Sequence, residues 1–187
     1  MKQDIREQAM KKRMQEALLD LLRTKPLYEI SVAEFCRAAR VGRTTFYRHY
    51  GNIRRLLEEL LEGMLSEMAS VADHLTSARE GGCKYPLCQS VRRDPRYFAL
   101  FRNESLTSII VDKLTTVHRE EYIRTMRRFF DWSEEQLELL LRFQWSGCVA
   151  LIRGSGGTGD EEWARARETV DRFLRNGLEI PGKIALL

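Results

Sequence analysis

The chain has 187 residues, 43% hydrophobic and 31% charged, which excludes a disordered or fibrous polymer and suits one domain or a small head on a larger body. Its net charge of +4 is unevenly placed: residues 1–56 hold 13 Lys/Arg against 6 Asp/Glu, while the remainder sums to −3, so the amino-terminal end is the part suited to a polyanion. Neither a signal-peptide core nor a run of about 18 apolar residues occurs, so a cytoplasmic protein with no membrane partner is expected.

Residues 3–24 read as an amphipathic helix with Met10, Met14, Ala17, Leu18, Leu21 and Leu22 on its inward stripe, closed by Pro26. Ser31-x-x-Glu34 has the form of a capping box, and Val32, Phe35, Cys36 and Ala39 then recur at helical spacing. A tight turn falls at Arg40-Val41-Gly42. Beyond it Arg43 to Tyr50 read as a second short helix, with Phe46 and Tyr50 facing inward and Arg43, Thr44, Tyr47 and Arg48 facing outward. That outward set suits DNA: arginine bonds bidentately to guanine, hydroxyls bond phosphate oxygens, and a threonine methyl touches the thymine methyl. Two helices this short cannot bury a core alone, so the first helix is expected to wall them in.

Gly51-Asn52 is a break and an N-cap, after which an apolar pattern from Ile53 through Leu61, Met68 and Val71 to Leu75 predicts one long helix joining the head to a second core. The Gly-rich stretch before Pro86 reads as a connector, followed by a short helix to Arg92. Asp94-Pro95 opens a helix carrying Tyr97, Phe98, Leu100 and Phe101. The pattern from Leu106 to Phe130, with Ile110, Leu114, Val117, Tyr122 and Met126 inward, predicts a long helix broken or bent near Thr115-Thr116. Ser133-x-x-Gln136 is a second capping box. The helix it opens, 134–153, has a broad stripe of Leu137, Leu141, Gln144, Trp145, Cys148 and Ile152, and a second line of Phe143, Gly147, Ala150 and Gly154. Two faces imply two partners. A last helix at 160–176 offers Trp163, Ala166, Val170, Phe173 and Leu174 before Gly177, and the tail after Pro181 reads as a loose end. No stretch alternates as a strand does, so the fold class is all-α: a three-helix head at 1–56 joined by a long helix to a helical body at 57–187.

Several patterns invite sharper readings. Gly154-Ser155-Gly156-Gly157-Thr158-Gly159 matches the dinucleotide fingerprint, but that device needs a preceding strand and here a helix precedes it, so an interhelical loop is the better reading. Cys83 and Cys88 have no third Cys or His nearby, Cys36 and Cys148 lie on apolar faces, and His49, His74 and His118 are far apart. No metal, cofactor, disulfide framework or catalytic constellation is therefore expected. The body aromatics read either as plain core or as the wall of an effector pocket. On the second reading Phe98, Phe101 and Trp145 supply apolar surface, and His118, Tyr122, Gln144 and Cys148 orient the ligand.

The run Val41-x-Arg43-x-Thr45-Phe46-Tyr47-Arg48-His49-Tyr50, followed by Asn52 and Leu56, resembles the DNA-binding head of the tetracycline-repressor (TetR) family of bacterial regulators. The resemblance covers about the first third of the chain; beyond it only the helical layout is similar. It implies a homodimer that binds a near-palindromic double-stranded operator, usually as a repressor, and releases it when a small-molecule effector enters the body. It also implies that Arg43, Thr44 and Arg48 face bases, that Thr45, Tyr47 and His49 contact phosphate or bases, and that Phe46 is core. Ser31 and Arg54 complete the DNA-facing set, with Arg54 or Arg55 standing in for a lysine of the family that is Ile53 here. The family's turn glycine is Arg40, which requires a left-handed arginine or an altered turn, and its cap serine is Gly42. Dimerisation is expected through 134–153 and 160–176, pairing as a four-helix bundle with Phe143, Gly147, Ala150, Leu151, Val170, Phe173 and Leu174 at the seam. A helical protein-interaction module, or a regulator without an effector, remains the alternative.

Overall fold

The computed structural model describes residues 2–66, 91–92, 94–155 and 159–177. Among the described residues eight α-helices are formed: α1 (Lys2–Leu22), α2 (Val32–Ala39), α3 (Arg43–His49), α4 (Ile53–Ser66), α5 (Pro95–Arg102), α6 (Thr107–Met126), α7 (Glu134–Gly154) and α8 (Asp160–Gly177). Short 3-10 turns at Leu27–Glu29 and Glu104–Leu106 precede α2 and α6, and no strand occurs among the described residues. The expected helix positions Met68, Val71, Ala72 and Leu75, the connector, Cys83, Cys88, His74 and the tail lie outside the described residues.

In the head, α1 packs across α2 and α4, and Met14, Leu18, Phe35, Phe46, Leu56 and Leu57 are fully buried. Each such side chain contributes about 1.5–3 kcal/mol by leaving water. Leu19 is also buried, which widens the α1 stripe beyond the positions read from the sequence. The buried residues continue along α4 through Leu61, Met64 and Leu65 to the body, where α4 packs on α6.

The body is built on α6 and α7, which form the most extensive helix–helix contact. Ion pairs fix them as antiparallel neighbours: Arg127 meets Glu134 at 2.9 Å, Arg119 meets Glu138 at 2.8 Å and Arg142 meets Asp112 at 2.7 Å. These pairs are partly exposed, so their role is more in register than in stability. The capping box opening α7 is complete: the Ser133 hydroxyl accepts from the Gln136 amide, and the Gln136 side chain accepts from the Ser133 amide. Arg92 tethers the start of α8, its guanidinium 4.8 Å from the ring centre of buried Trp163 and 3.4 Å from Asp160.

Three expectations are corrected. α6 does not break at Thr115-Thr116 but runs through both as one helix, and their hydroxyls are satisfied within it, donating to carbonyls one turn back, Thr115 to Val111 (2.8 Å) and Thr116 to Asp112 (2.9 Å). Val117 is exposed, and Thr115 and His118 take the buried positions on that stretch. The first capping box is half made: Ser31 accepts from the Glu34 amide, but the Glu34 carboxylate turns away to Lys25 Nζ at 2.6 Å. Lys25 first, through that hydrogen bond, holds the carboxyl of Glu34 below its usual range.

Among the described residues no helix is long and apolar enough to cross a membrane, and no group of three or more His, Cys, Asp or Glu is placed to hold a metal ion.

Candidate nucleic-acid interface

The turn before α3 closes as a Schellman motif. The Arg40 amide donates to Arg37 O (3.2 Å) and the Val41 amide to Cys36 O (3.0 Å). This geometry needs a left-handed residue, and Arg40 supplies it with φ 54° and ψ 47°, the one positive φ among the described non-glycine residues. Of the two options left by the missing glycine, the chain adopts the strained arginine. Gly42 then caps α3 with extended backbone and no side-chain hydrogen bond.

Phe46 anchors α3. Its ring is fully buried with its centre 5.1 Å from that of Phe35 and 6.2 Å from that of Tyr50. α3 ends at His49, and Tyr50 follows in extended conformation, its hydroxyl donating to Glu59 Oε1 at 2.9 Å. Burial first, and then Glu59, push the Tyr50 phenol well above its usual pKa, so it remains a donor.

With those residues inward, Arg43, Thr44, Tyr47 and Arg48 lie together on the exposed face, Tyr47 with 54% of its surface open. Neither Arg43 nor Arg48 has a carboxylate within 4.0 Å among the described residues, whereas Arg119, Arg127 and Arg142 of the body are each paired. Unpaired guanidinium groups on one short helix keep all their donors for an outside acceptor. Thr45 is half-buried beside Gly42, where an added Cβ would lie 3.9 Å from its hydroxyl.

The remaining expected residues fall less centrally. His49 is only 14% exposed, with Nδ1 3.8 Å from Glu7 of α1 and Nε2 buried without a hydrogen-bond partner. Ser31 is exposed and serves as the α2 cap. Arg54 is exposed but bonded to Glu58 at 3.0 Å. The neighbouring Arg55 guanidinium has no such partner among the described residues, which makes it the freer cation at the start of α4. Sequence spacing could not separate these two, because the choice depends on which one the Glu58 carboxylate reaches.

The expected effector residues divide between two places. His118 and Tyr122, one turn apart on α6, meet Trp145 and Gln144 of α7, the rings of His118 and Trp145 lying 5.4 Å apart, and Cys148 is buried one turn further along α7. Phe98 instead lines an open cleft between α1 and α5 under the guanidinium of Arg102, and Phe101 is fully buried core. In the first group, burial lowers the His118 pKa against the opposing charge of Glu121, favouring the neutral ring. Burial raises the Tyr122 pKa, a shift Gln144 only partly offsets, and no hydrogen bond of normal geometry satisfies the phenol. The Trp145 indole N–H is likewise buried without a partner.

On α7, Phe143 is 58% exposed, with Gly147 and Ala150 exposed along the same line and Leu151 half-buried. Leu139, one turn before Phe143 and 68% exposed, extends this apolar face and was missed in the sequence pattern, where it sits among other leucines. On α8, Phe173 is 64% exposed and Val170 half-buried; the Leu174 side chain lies outside the described residues. A Cβ added at Gly147 would meet nothing within 4 Å, so the chain's own packing does not require that glycine.

No family model matches the chain. A protein of Bacillus subtilis (strain 168) named "Uncharacterized HTH-type transcriptional regulator YxbF" is 29% identical over 105 residues, which are 56% of this chain and 23% of that protein. The chain thus spans about a quarter of that relative's length. Among solved structures, the dihydroxyacetone kinase operon activator DhaS is similar over 90% of this chain and 93% of its own, with TM-score 0.48 and 17% identity.

Proposed function

We propose that this protein is a dimeric, TetR-type transcriptional regulator in which α3 reads the major groove of a near-palindromic operator. The observation that carries the reading is the exposed set Arg43, Thr44, Tyr47 and Arg48 on a helix locked by buried Phe46, with neither arginine paired to a carboxylate among the described residues. The basic surplus of residues 1–56 adds the non-specific attraction that phosphate binding needs. The name of the relative YxbF, an HTH-type transcriptional regulator, is consistent with this reading. Arg43, Thr44 and Arg48 face bases, while Tyr47, Thr45, Arg55 and the hydroxyl of Ser31 hold the backbone. Residues 1–56 form the DNA-binding unit and 57–187 the regulatory and dimerisation unit.

The partner of the Leu139–Phe143–Gly147–Ala150 face is a second copy of the chain. α7 and α8 with their mates make a four-helix bundle, Gly147 allows close approach, and Phe173 is covered. The resulting twofold axis sets the two α3 helices about 34–36 Å apart, one turn of DNA.

The regulator is a repressor relieved by a small molecule bound between α6 and α7. The unpartnered Trp145 N–H, beside a Tyr122 phenol that only Gln144 approaches, supports this, because buried polar groups without partners are rare and a ligand acceptor would complete them. Neutral His118 beside them favours an uncharged ligand with a carbonyl-like acceptor.

Selection of bound duplexes from random DNA tests the reading. Recovery of a palindrome is expected. Failure to enrich any sequence, together with capture of a protein partner through the α7 face, would favour a protein-interaction module instead.

A further inference from the structure

α1 ends in a cap supplied by the body. The carbonyl of Leu22, its last residue, is one of the acceptors a helix end leaves without an internal partner. Asn103, from the bend between α5 and the turn before α6, fills that need: its Nδ2 donates to Leu22 O at 2.8 Å and to Lys25 O at 3.0 Å. Its Oδ1 accepts from the amide of Ser105 at 3.2 Å and from the Ser105 hydroxyl at 2.7 Å. That hydroxyl in turn accepts from the amide of Leu27, at 3.0 Å, in the turn leading to α2. One side-chain amide, with both donors and its oxygen engaged, therefore ties the end of α1 and the entry to α2 to the body.

We propose that Asn103, with Ser105, is the positioning residue that fixes the angle of the DNA-reading head relative to the body. This rests on the dimeric DNA-binding reading above. The head has a second attachment, α4, which runs from the head core to the face of α6, where Glu62 meets Lys113 at 2.9 Å. A single rod leaves the head free to swing about the rod's axis; a second attachment on α1 removes that freedom. At the Asn103 joint the backbone ends are held by directional bonds. A cleft of about 950 Å³ opens beside it, bounded by Tyr28, Phe98 and Arg102, so side-chain packing does not fill the seam there. Only an amide fits the joint: aspartate has no donor for the two carbonyls, and alanine has neither donor nor acceptor.

In a twofold dimer, head angle becomes half-site spacing. Loss of the latch should therefore broaden the spacings tolerated while leaving the contacts to each half-site intact. The test uses the full-length protein and palindromic duplexes that carry the selected half-site at spacings of −2 to +2 base pairs around the optimum. Wild type should discriminate sharply against shifted spacings. Asn103→Asp, which keeps the shape but aims a carboxylate at two carbonyls, and Ser105→Ala, a milder change, should both reduce that discrimination by roughly 5- to 100-fold, the equivalent of about two ordinary hydrogen bonds. Affinity for a single half-site should stay within a few-fold of wild type. An unchanged spacing preference in both variants would overturn the proposal. So would an equal loss at every spacing and on the single half-site, because that pattern marks a residue that only stabilises the fold. If wild type binds no palindrome at any spacing, the DNA-binding reading itself fails, and the positioning role falls with it.

Discussion

The hydroxyl of Tyr50 donates to Glu59 Oε1 at 2.9 Å, tying the residue that ends the recognition helix to the second turn of α4. The ring is already in the core beside Phe46, so the hydrogen bond adds orientation to a contact that burial makes anyway. Tyr50→Phe should keep the fold and cost about 1 kcal/mol in urea unfolding. Operator affinity should fall with it, since α3 then loses a fixed point at its C-terminal end. A variant as stable as wild type would mean that water replaces the carboxylate contact at no net cost.

The left-handed Arg40 carries strain that the Schellman turn imposes whatever residue occupies it. Arg40→Gly should remove a penalty of about 1–2 kcal/mol, offset in part by the greater freedom of glycine in the unfolded chain. A net stabilisation of roughly 0.5–1 kcal/mol is expected from these opposing effects. A lower urea midpoint for Arg40→Gly would show that the arginine side chain makes contacts outweighing its backbone cost.

His118 gives the stability a pH dependence of defined sign. Its folded pKa lies below the ordinary value of 6.5 because burial disfavours the imidazolium. Between the folded and unfolded values the unfolded chain binds more protons, so stability should fall as the pH drops through about 6.5 towards the folded value. Above that window the group contributes no slope. The comparison is urea unfolding of wild type and His118→Gln from pH 7.5 to 5.0: the wild-type curve should fall more steeply. Parallel curves would contradict a buried neutral His118.

The exposed α7 face predicts a separation between folding and assembly. Gly147→Arg should leave helicity and the thermal midpoint of the isolated chain almost unchanged, because no described residue lies within 4 Å of the added Cβ. In sedimentation at micromolar concentration wild type should be a dimer and Gly147→Arg a monomer. Wild type sedimenting as a monomer would remove the dimer, and with it the palindromic operator.

What could be read in the chain was what depends on neighbours a few residues apart. The Ser133 box and the α7 stripe were legible because partners at i and i+3, and apolar residues one turn apart, meet in any helix. The inward and outward faces of α3 were legible for the same reason. The continuity of α6 through Thr115-Thr116 is not legible in that way, because it rests on the packing of buried Thr115 and His118 against the rest of the body rather than on the threonine pair itself. The Glu34 carboxylate was misassigned because Lys25, nine residues away, outcompetes the local amide. The Asn103 joint gave no local signal, since its partners at Leu22 and Lys25 are 81 and 78 residues distant.

The central claim is that α3 reads base sequence, and Arg43→Ala tests it most directly. Binding of the selected palindrome and of a scrambled duplex of equal length would be followed by fluorescence anisotropy across a salt series. Wild type should bind the palindrome about 10³-fold or more tightly than the scrambled duplex, with affinity for both falling steeply with salt. Arg43→Ala should cost about 1–3 kcal/mol on the palindrome and little on the scrambled duplex. An equal loss on both duplexes would make Arg43 a phosphate anchor, and equal wild-type affinity for both would contradict sequence reading by α3.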